Sequence, residues 1–192
     1  DKHLRQIIRA HGCPTPWIRP NTFQTLVLTI LEQQVSLAAA YAAFNRLKNK
    51  IGLVTPVKIL ALSDQELRDC YFTRQKITYA RGLAEAVQSK KIRLKKMEEL
   101  PNEIVREQLI QLKGIGNWTI DVYLMHALRR TDLFPLGDIA LVNSLKHIKK
   151  LNPEISKEKM LQMAEPWRPY RTIAAMILWH DYLKRRGTKI QN

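Results

Sequence analysis

Asp138 closes the run Leu133-Phe-Pro-Leu-Gly-Asp138, and a helical pattern through Leu141, Leu145 and Ile148 starts directly after it. Pro135 and Gly137 predict a tight turn that delivers the aspartate to the first turn of that helix. The macrodipole at this end favours an ionised carboxylate, so the group is suited to act as a base or as a fixed anion. Aspartate is also a preferred N-cap, and capping alone is the competing account of the position. Twenty positions before Asp138 stands Trp118, inside Leu112-Lys-Gly-Ile-Gly-Asn-Trp-Thr119, between two helical patterns. Gly114 and Gly116 can adopt positive φ and leave backbone N–H groups uncovered by side chains. At a helix N-terminus such groups form an anion site suited to a phosphate. Ile115 between them is expected to plug the core and stiffen the hairpin. A helix C-cap followed by a turn is the plainer account of Gly114.

The charge of the chain favours the phosphate. Its 192 residues include 32 Lys and Arg against 17 Asp and Glu, a formal net charge of +15. With 45% apolar residues it can still bury a real core, so it is not a disordered basic tail. A polyanion is the expected partner. Nucleic acid fits better than a membrane, because no basic amphipathic helix stands apart; a merely solvated basic surface is the alternative. Two cysteines, Cys13 and Cys70, are too few for a four-cysteine iron–sulfur cluster, a multi-cysteine zinc site or a disulfide framework. His3, His11, His126, His147 and His180 show neither HxH nor HExxH spacing, so no metal is assigned to side chains. No apolar run approaches the roughly 18 residues of a membrane span, and the N-terminus has no apolar signal core. The expected address is intracellular and reducing: nucleus in a eukaryote, cytoplasm or nucleoid in a prokaryote. The chain begins at Asp1 rather than methionine, which leaves room for an upstream segment.

The elements that must position these residues read as helices. Phe23, Leu26, Val27, Ile30 and Leu31 share one face of a 3.6-residue repeat, with Asn21 as the expected cap and Gln24 three residues on. Ser63 with Glu66 makes a capping box before Leu67, and Thr55-Pro56 and Ser156 are further start signals. Further helices are expected from Arg74 to Ser89, Pro101 to Leu112, Trp118 to Arg130 and Tyr170 to Arg185. The last contains Ile173-Ala-Ala-Met-Ile-Leu-Trp179, apolar all round and therefore buried on most sides. Strand signals are nearly absent, and about ten helices with short connections make an all-α chain.

Taken together, Leu112–Thr119, the Phe134-Pro-Leu-Gly-Asp138 turn and the spacing between them resemble the helix-hairpin-helix DNA glycosylase superfamily. Phe23 to Ser36, ending Ile30-Leu-Glu-Gln-Gln-Val-Ser36, is similar to the family's helix and loop that face DNA. Phe72-Thr-Arg-Gln-Lys76 resembles its Ser/Thr-x-x-Lys helix start. Trp167-Arg-Pro-Tyr-Arg171 with Trp179 resembles its C-terminal W-x-P-[WY]-R…W signature. The hairpin alone is shared by many DNA-binding proteins; the combination is most like the alkylation-repair branch, DNA-3-methyladenine glycosylase II, over nearly the whole chain. The resemblance implies a two-lobe helical bundle with a helix-hairpin-helix motif and a cleft between the lobes. Residues 1–192 then form a single glycosylase domain, with a central lobe at about 21–130 and segments 1–20 and 131–192 forming the other lobe. A minimal version is expected, without the N-terminal β-rich domain of longer relatives.

The implied activity is monofunctional. Bifunctional members carry a Schiff-base lysine two residues after the second hairpin glycine, where this chain has Trp118. Lys113 precedes the glycines and is assigned to a phosphate. Water therefore captures the sugar, and Asp138 is the carboxylate that stabilises the oxocarbenium-like state and orients or deprotonates that water. One carboxylate suffices for an alkylated purine such as 3-methyladenine or 7-methylguanine, which already carries positive charge. The nucleotide must be flipped out of the stack. The resemblance places Trp118 and Trp179 on the pocket, with Tyr123 and Tyr170 as further candidates, and each ring attracts a cationic base by roughly 0.5–2 kcal/mol. Gln33 and Gln34 fall at the tip that faces DNA, with Gln34 where relatives carry an apolar wedge; Val122 stands where some present a pocket aromatic. Lys113, Gly114, Ile115, Gly116 and Thr119 are the expected DNA-binding hairpin. Backbone carbonyls of Leu112 and Gly114, with Ile115, are implied to hold a monovalent ion, Na+ or K+; no other cofactor is expected. The implied partner is double-stranded DNA with damaged bases, bound by a monomer, with no membrane. Asp121, Asp132 and Asp181 miss the motif position and are expected to cap or pair at the surface. Two other readings stand beside this one: a non-catalytic DNA-binding protein, and the same chemistry on deaminated or oxidised bases.

Overall fold

The computed structural model describes residues 1–187, and among them all regular structure is helical. The chain opens with α1 (Lys2–His11), whose N-cap Asp1 accepts the N–H groups of His3 and Leu4. There follow α2 (Phe23–Glu32), α3 (Leu37–Ile51), α4 (Pro56–Ala61), α5 (Asp64–Asp69), α6 (Arg74–Gln88), α7 (Leu94–Met97), α8 (Asn102–Leu109) and α9 (Asn117–His126). Then come α10 (Ile139–Ile148), α11 (Lys157–Ala164), a 3-10 turn at Glu165–Trp167, and α12 (Arg171–Arg185). No helix among the described residues is long and apolar enough to cross a membrane.

Local chemistry sets most of the starts. Ser63 and Glu66 form the reciprocal capping box, and the Thr55, Thr73 and Ser156 hydroxyls each accept an N–H of the helix that follows. The helix expected from Pro101 to Leu112 ends earlier, at Leu109, where the chain turns into the hairpin; the next begins at Asn117 and ends at His126. Asn21 does not cap α2. Thr22 is the N-cap, without a side-chain bond. The Asn21 amide instead donates to Leu94 O (2.8 Å) and to Glu98 (2.9 Å), and its oxygen accepts the Tyr123 hydroxyl at 2.6 Å. Long-range partners outcompete the local cap.

The chain divides into two compact units. One is Arg19–Leu128. At its centre α2 is buried along nearly its whole length, with α3, α6 and α9 packed on it, while α4 and α5 pack on α6 and α8 on α9. Each fully buried Leu or Ile here stabilises by roughly 1.5–3 kcal/mol. Polar groups on such a helix need partners. Thr29 donates to Thr25 O (2.9 Å), the Arg19 fork holds Glu32, and Lys76 Nζ donates to Leu31 O at 2.6 Å. Burial pushes the Lys76 ammonium below the usual lysine range.

The other unit is Asp1–Ile18 with the described residues from Arg129 onward. Its spine is α12, with α1 and α10 packed on it. From Thr172 to Asp181 every residue except Ile173 is buried, as the all-round apolar pattern predicts. Asp181 departs from its surface expectation. It is buried, accepts Ser144 Oγ (2.6 Å) and Arg185 Nε (2.9 Å), and ties α10 to α12.

Candidate functional site

Asp138 is positioned from α12. The segment leading to it is laced to Thr172: the threonine hydroxyl donates to Arg130 O (2.7 Å) and accepts Leu133 N–H (3.1 Å), while Thr172 N–H donates to Thr131 O (2.9 Å). Arg171 grips Asp132 with Nε on Oδ1 (2.7 Å) and Nη2 on Oδ2 (3.0 Å), and these bonds hold the Asp132 carboxyl below its usual range. Phe134 and Pro135 are buried, with Phe134 edge-on to Trp167 at 5.6 Å. Asp138 N–H then closes the turn onto Pro135 O at 2.9 Å.

The Asp138 side chain caps α10, its Oδ1 accepting Leu141 N–H at 2.9 Å. The same oxygen accepts the Trp179 indole Nε1–H at 2.8 Å. Two donors from different helices fix the carboxylate torsions with charge-assisted bonds. The aspartate is half-buried, and Trp179 is only 5% exposed. Stacked on Trp179 is Trp17, with ring centroids 5.5 Å apart and planes 29° apart. Sequence reasoning missed Trp17, which belongs to no motif; its one signal is the stiff Pro14-Thr-Pro16 stretch before it.

In the Arg19–Leu128 unit the hairpin turns through Leu112 N–H to Leu109 O and Ile115 N–H to Leu112 O, both 3.0 Å. Gly114 uses the positive φ open to glycine, at +86°, whereas Gly116 is extended at φ −96°, ψ 178°. Positive φ is needed only where the turn reverses. Gly116 is instead the N-cap of α9, no side chain caps it, and a Cβ there would meet nothing within 4 Å. Ile115 is buried, as a core plug should be, and Lys113 is exposed. Gln34 is exposed with φ +57° just past the end of α2. Trp118 is half-buried near the start of α9.

Other assigned residues turn inward or pair with neighbours. Thr119 is 2% exposed, and its hydroxyl accepts Gln33 Nε2 (2.9 Å), which also donates to Gly114 O (2.8 Å). Gln33 and Thr119 therefore brace the hairpin from inside through these bonds. Tyr123 is fully buried, its hydroxyl held by Asn21, and burial pushes that hydroxyl far above the usual tyrosine range. It is a core residue and not a pocket wall. Tyr170 is 61% exposed and precedes Trp179 by nine positions, about 13 Å along a helix axis, so it does not join the Asp138–Trp179 pair. Asp121 is paired with Arg106 at 2.6 Å. Leu112 O and Gly114 O, the expected ion ligands, accept Ile115 N–H and Gln33 Nε2 respectively. Among the described residues no group of three or more His, Cys, Asp or Glu is placed to hold a metal ion.

A helical chain with an N-terminally uncapped hairpin and a doubly held aspartate has clear relatives. Residues 27–169 match the HhH-GPD superfamily of base excision DNA repair proteins, and the chain belongs to that superfamily. Several relatives of high similarity are named for alkylation repair. DNA-3-methyladenine glycosylase 1 of Schizosaccharomyces pombe is 35% identical over 196 residues, covering 96% of this chain and 86% of that protein. Bacillus subtilis YfjP is 30% identical over 186 residues, covering 93% of this chain, which spans 65% of YfjP's length. Among solved structures, the S. pombe 3-methyladenine DNA glycosylase in complex with abasic DNA aligns with a TM-score of 0.85 at 31% identity, covering 93% of this chain and 90% of that one.

Proposed function

We propose that the protein is a monofunctional DNA glycosylase that hydrolyses the N-glycosidic bond of alkylated purines, 3-methyladenine and 7-methylguanine among them, in double-stranded DNA. The observation that carries this is the Asp138 carboxylate, fixed by Leu141 N–H and the Trp179 indole, in a base-excision-repair family member of net charge +15. A cap alone is met equally well by a neutral Ser or Asn, whereas a developing sugar cation calls for the anion.

The lesion is flipped from the duplex. The bond from sugar C1′ to the purine nitrogen then breaks, its electron pair leaving with the base and discharging the positive charge that alkylation placed there. Cation develops on the sugar, and Asp138 stabilises it through space. Water adds to C1′ and gives up a proton, leaving an abasic site. Trp118 occupies the position of a lyase lysine, so no amine competes with water there. Phosphate approaches the hairpin over Gly116, where no Cβ stands, with Lys113 beside it and Gln34 at the exposed tip to meet the vacated stack. Leu112 O and Gly114 O each keep a second lone pair. That fits a monovalent ion shared with the DNA backbone, which would supply positive charge and nothing more.

The test is base release from methylated duplex DNA by wild type and by Asp138→Asn. Asparagine caps a helix about as well as aspartate, so the variant should melt like wild type while releasing base at least about 10²-fold more slowly. Equal rates would remove Asp138 from the mechanism. Salt-sensitive duplex binding with no base release by wild type would leave a DNA-binding protein without glycosylase activity.

A further inference from the structure

The aspartate's second donor raises the question of what holds that donor. Trp179 sits on α12 with its indole N–H on Asp138 Oδ1 at 2.8 Å. An indole ring turns about two side-chain torsions, and a tilt of a few tenths of an ångström at the ring becomes a comparable error at the carboxylate. One face of this indole is covered by the Trp17 ring, stacked at 5.5 Å and 29°. Trp17 is itself delivered by a stiff segment. Pro14 and Pro16 fix φ at two of the three preceding residues, and α1 ends at Gly12 with φ +77°. The neighbouring residue of α12 pins the same stretch: His180 Nε2 is bonded to His11 O at 3.0 Å. Two consecutive α12 residues, 179 and 180, thus engage the end of α1 and the segment after it, one by stacking on Trp17 and one by hydrogen bond to His11.

We infer that Trp17 is a positioning residue for the glycosylase reaction, acting through Trp179 to set the orientation of Asp138. The role rests on the functional reading above and deepens it, reaching the sugar along the chain Trp17, Trp179, Asp138. It belongs to the bond-breaking step and not to capture of DNA, because the residue Trp17 holds is the one that holds the anion. A stacked offset pair contributes beyond its buried area and has a defined geometry, which an aliphatic side chain of similar bulk does not reproduce.

The experiment compares Trp17→Leu and Trp17→Phe with wild type in single-turnover release of base from methylated duplex at varied enzyme concentration. Thermal melting and near-ultraviolet circular dichroism of the free proteins accompany it. Wild type should show the coupled dichroism band of two stacked indoles, lost in both variants. Trp17→Leu should lower the maximal release rate about ten- to a hundredfold, the scale of a small misplacement at a reacting centre, with the half-saturating enzyme concentration unchanged. Trp17→Phe, which restores an aromatic face, should recover most of the rate. If Trp17→Leu releases base as fast as wild type, or if the whole loss falls on half-saturation, Trp17 does not act through Asp138. A loss shared equally by Trp17→Phe and matched by a drop in melting temperature marks a purely structural residue and also overturns the role. Wild type that releases no base sinks the functional reading and this role with it, whereas active wild type beside an equally active Trp17→Leu sinks the role alone.

Discussion

At Gly114 a φ of +86° coincides with the Tyr79 ring lying where a side chain would begin: a Cβ there would stand 2.1 Å from Tyr79 Cγ. Two residues on, Gly116 has ordinary extended backbone and open space around it. The two glycines therefore answer different demands, one of turn geometry and packing, the other of approach from outside. Gly114→Ala must both strain the backbone and displace a ring, costing about 1–3 kcal/mol, whereas Gly116→Ala should unfold in urea like wild type. In duplex titration both should bind more weakly, Gly114→Ala because the hairpin it anchors moves and Gly116→Ala because a Cβ then stands where phosphate approaches. Unchanged unfolding of Gly114→Ala would show that the Tyr79 ring gives way freely. The sequence announced both glycines as a pair because residue type was the visible signal. Tyr79 lies 35 positions earlier (114 − 79), in a helix whose pattern says nothing of what its exposed face meets. Trp17 escaped notice for a similar reason, since stacking on Trp179 is decided by tertiary packing.

The element that delivers Asp138 is a short irregular segment, and its order comes from α12 rather than from itself. Residues 130–133 form no ladder of their own, yet three hydrogen bonds converge on Thr172, two through its hydroxyl and one through its N–H. Thr172 is buried, so Thr172→Val keeps the shape and removes the hydroxyl, leaving Leu133 N–H without its acceptor and Arg130 O without that donor. Unsatisfied buried groups cost about 1–3 kcal/mol, so the variant should lose that much in urea unfolding. It should also slow base release more than it weakens duplex binding, because the displaced segment ends at Asp138. A variant with wild-type stability would mean that water replaces the hydroxyl at no cost. Helices and their starts were legible beforehand at this scale: periodicity and caps such as Ser63 with Glu66 are local physics, and α12 was readable as a buried helix from its unbroken apolar run. The exceptions are polar side chains with distant partners. Asn21 leaves its capping position for Leu94, Glu98 and Tyr123, and Gln33 and Thr119 turn inward to brace the hairpin. No local rule could rank those partners against a cap or a phosphate.

For the whole molecule the governing quantity is charge. A formal +15 over 192 residues is carried beside several acidic groups held in ion pairs: Glu32 with Arg19, Asp121 with Arg106, Asp132 with Arg171, and Asp181 with Arg185. Each such pair cancels one charge of each sign, so the field outside the protein follows the excess of 32 lysines and arginines over 17 acidic residues, with Lys113 exposed on the hairpin. Duplex DNA meets that field through its phosphates, and each phosphate neutralised releases condensed counterions. Binding of undamaged duplex should therefore weaken steeply with salt, by about 10³-fold between about 50 and 200 mM if some six phosphates are contacted. Lys113→Gln should flatten the slope of log affinity against log salt by about one contact's worth, close to 0.9, and lower affinity alike on damaged and undamaged duplex. Fluorescence anisotropy across a salt series measures both. The rate of base release at saturating protein should not follow the salt, because Asp138 and the sugar cation meet at short range after DNA is bound, where screening over a Debye length of about 10 Å has little reach. A Lys113→Gln slope equal to wild type would detach that residue from the phosphate backbone, and a saturated release rate that fell with salt would mean that the step limiting turnover is DNA engagement rather than bond cleavage.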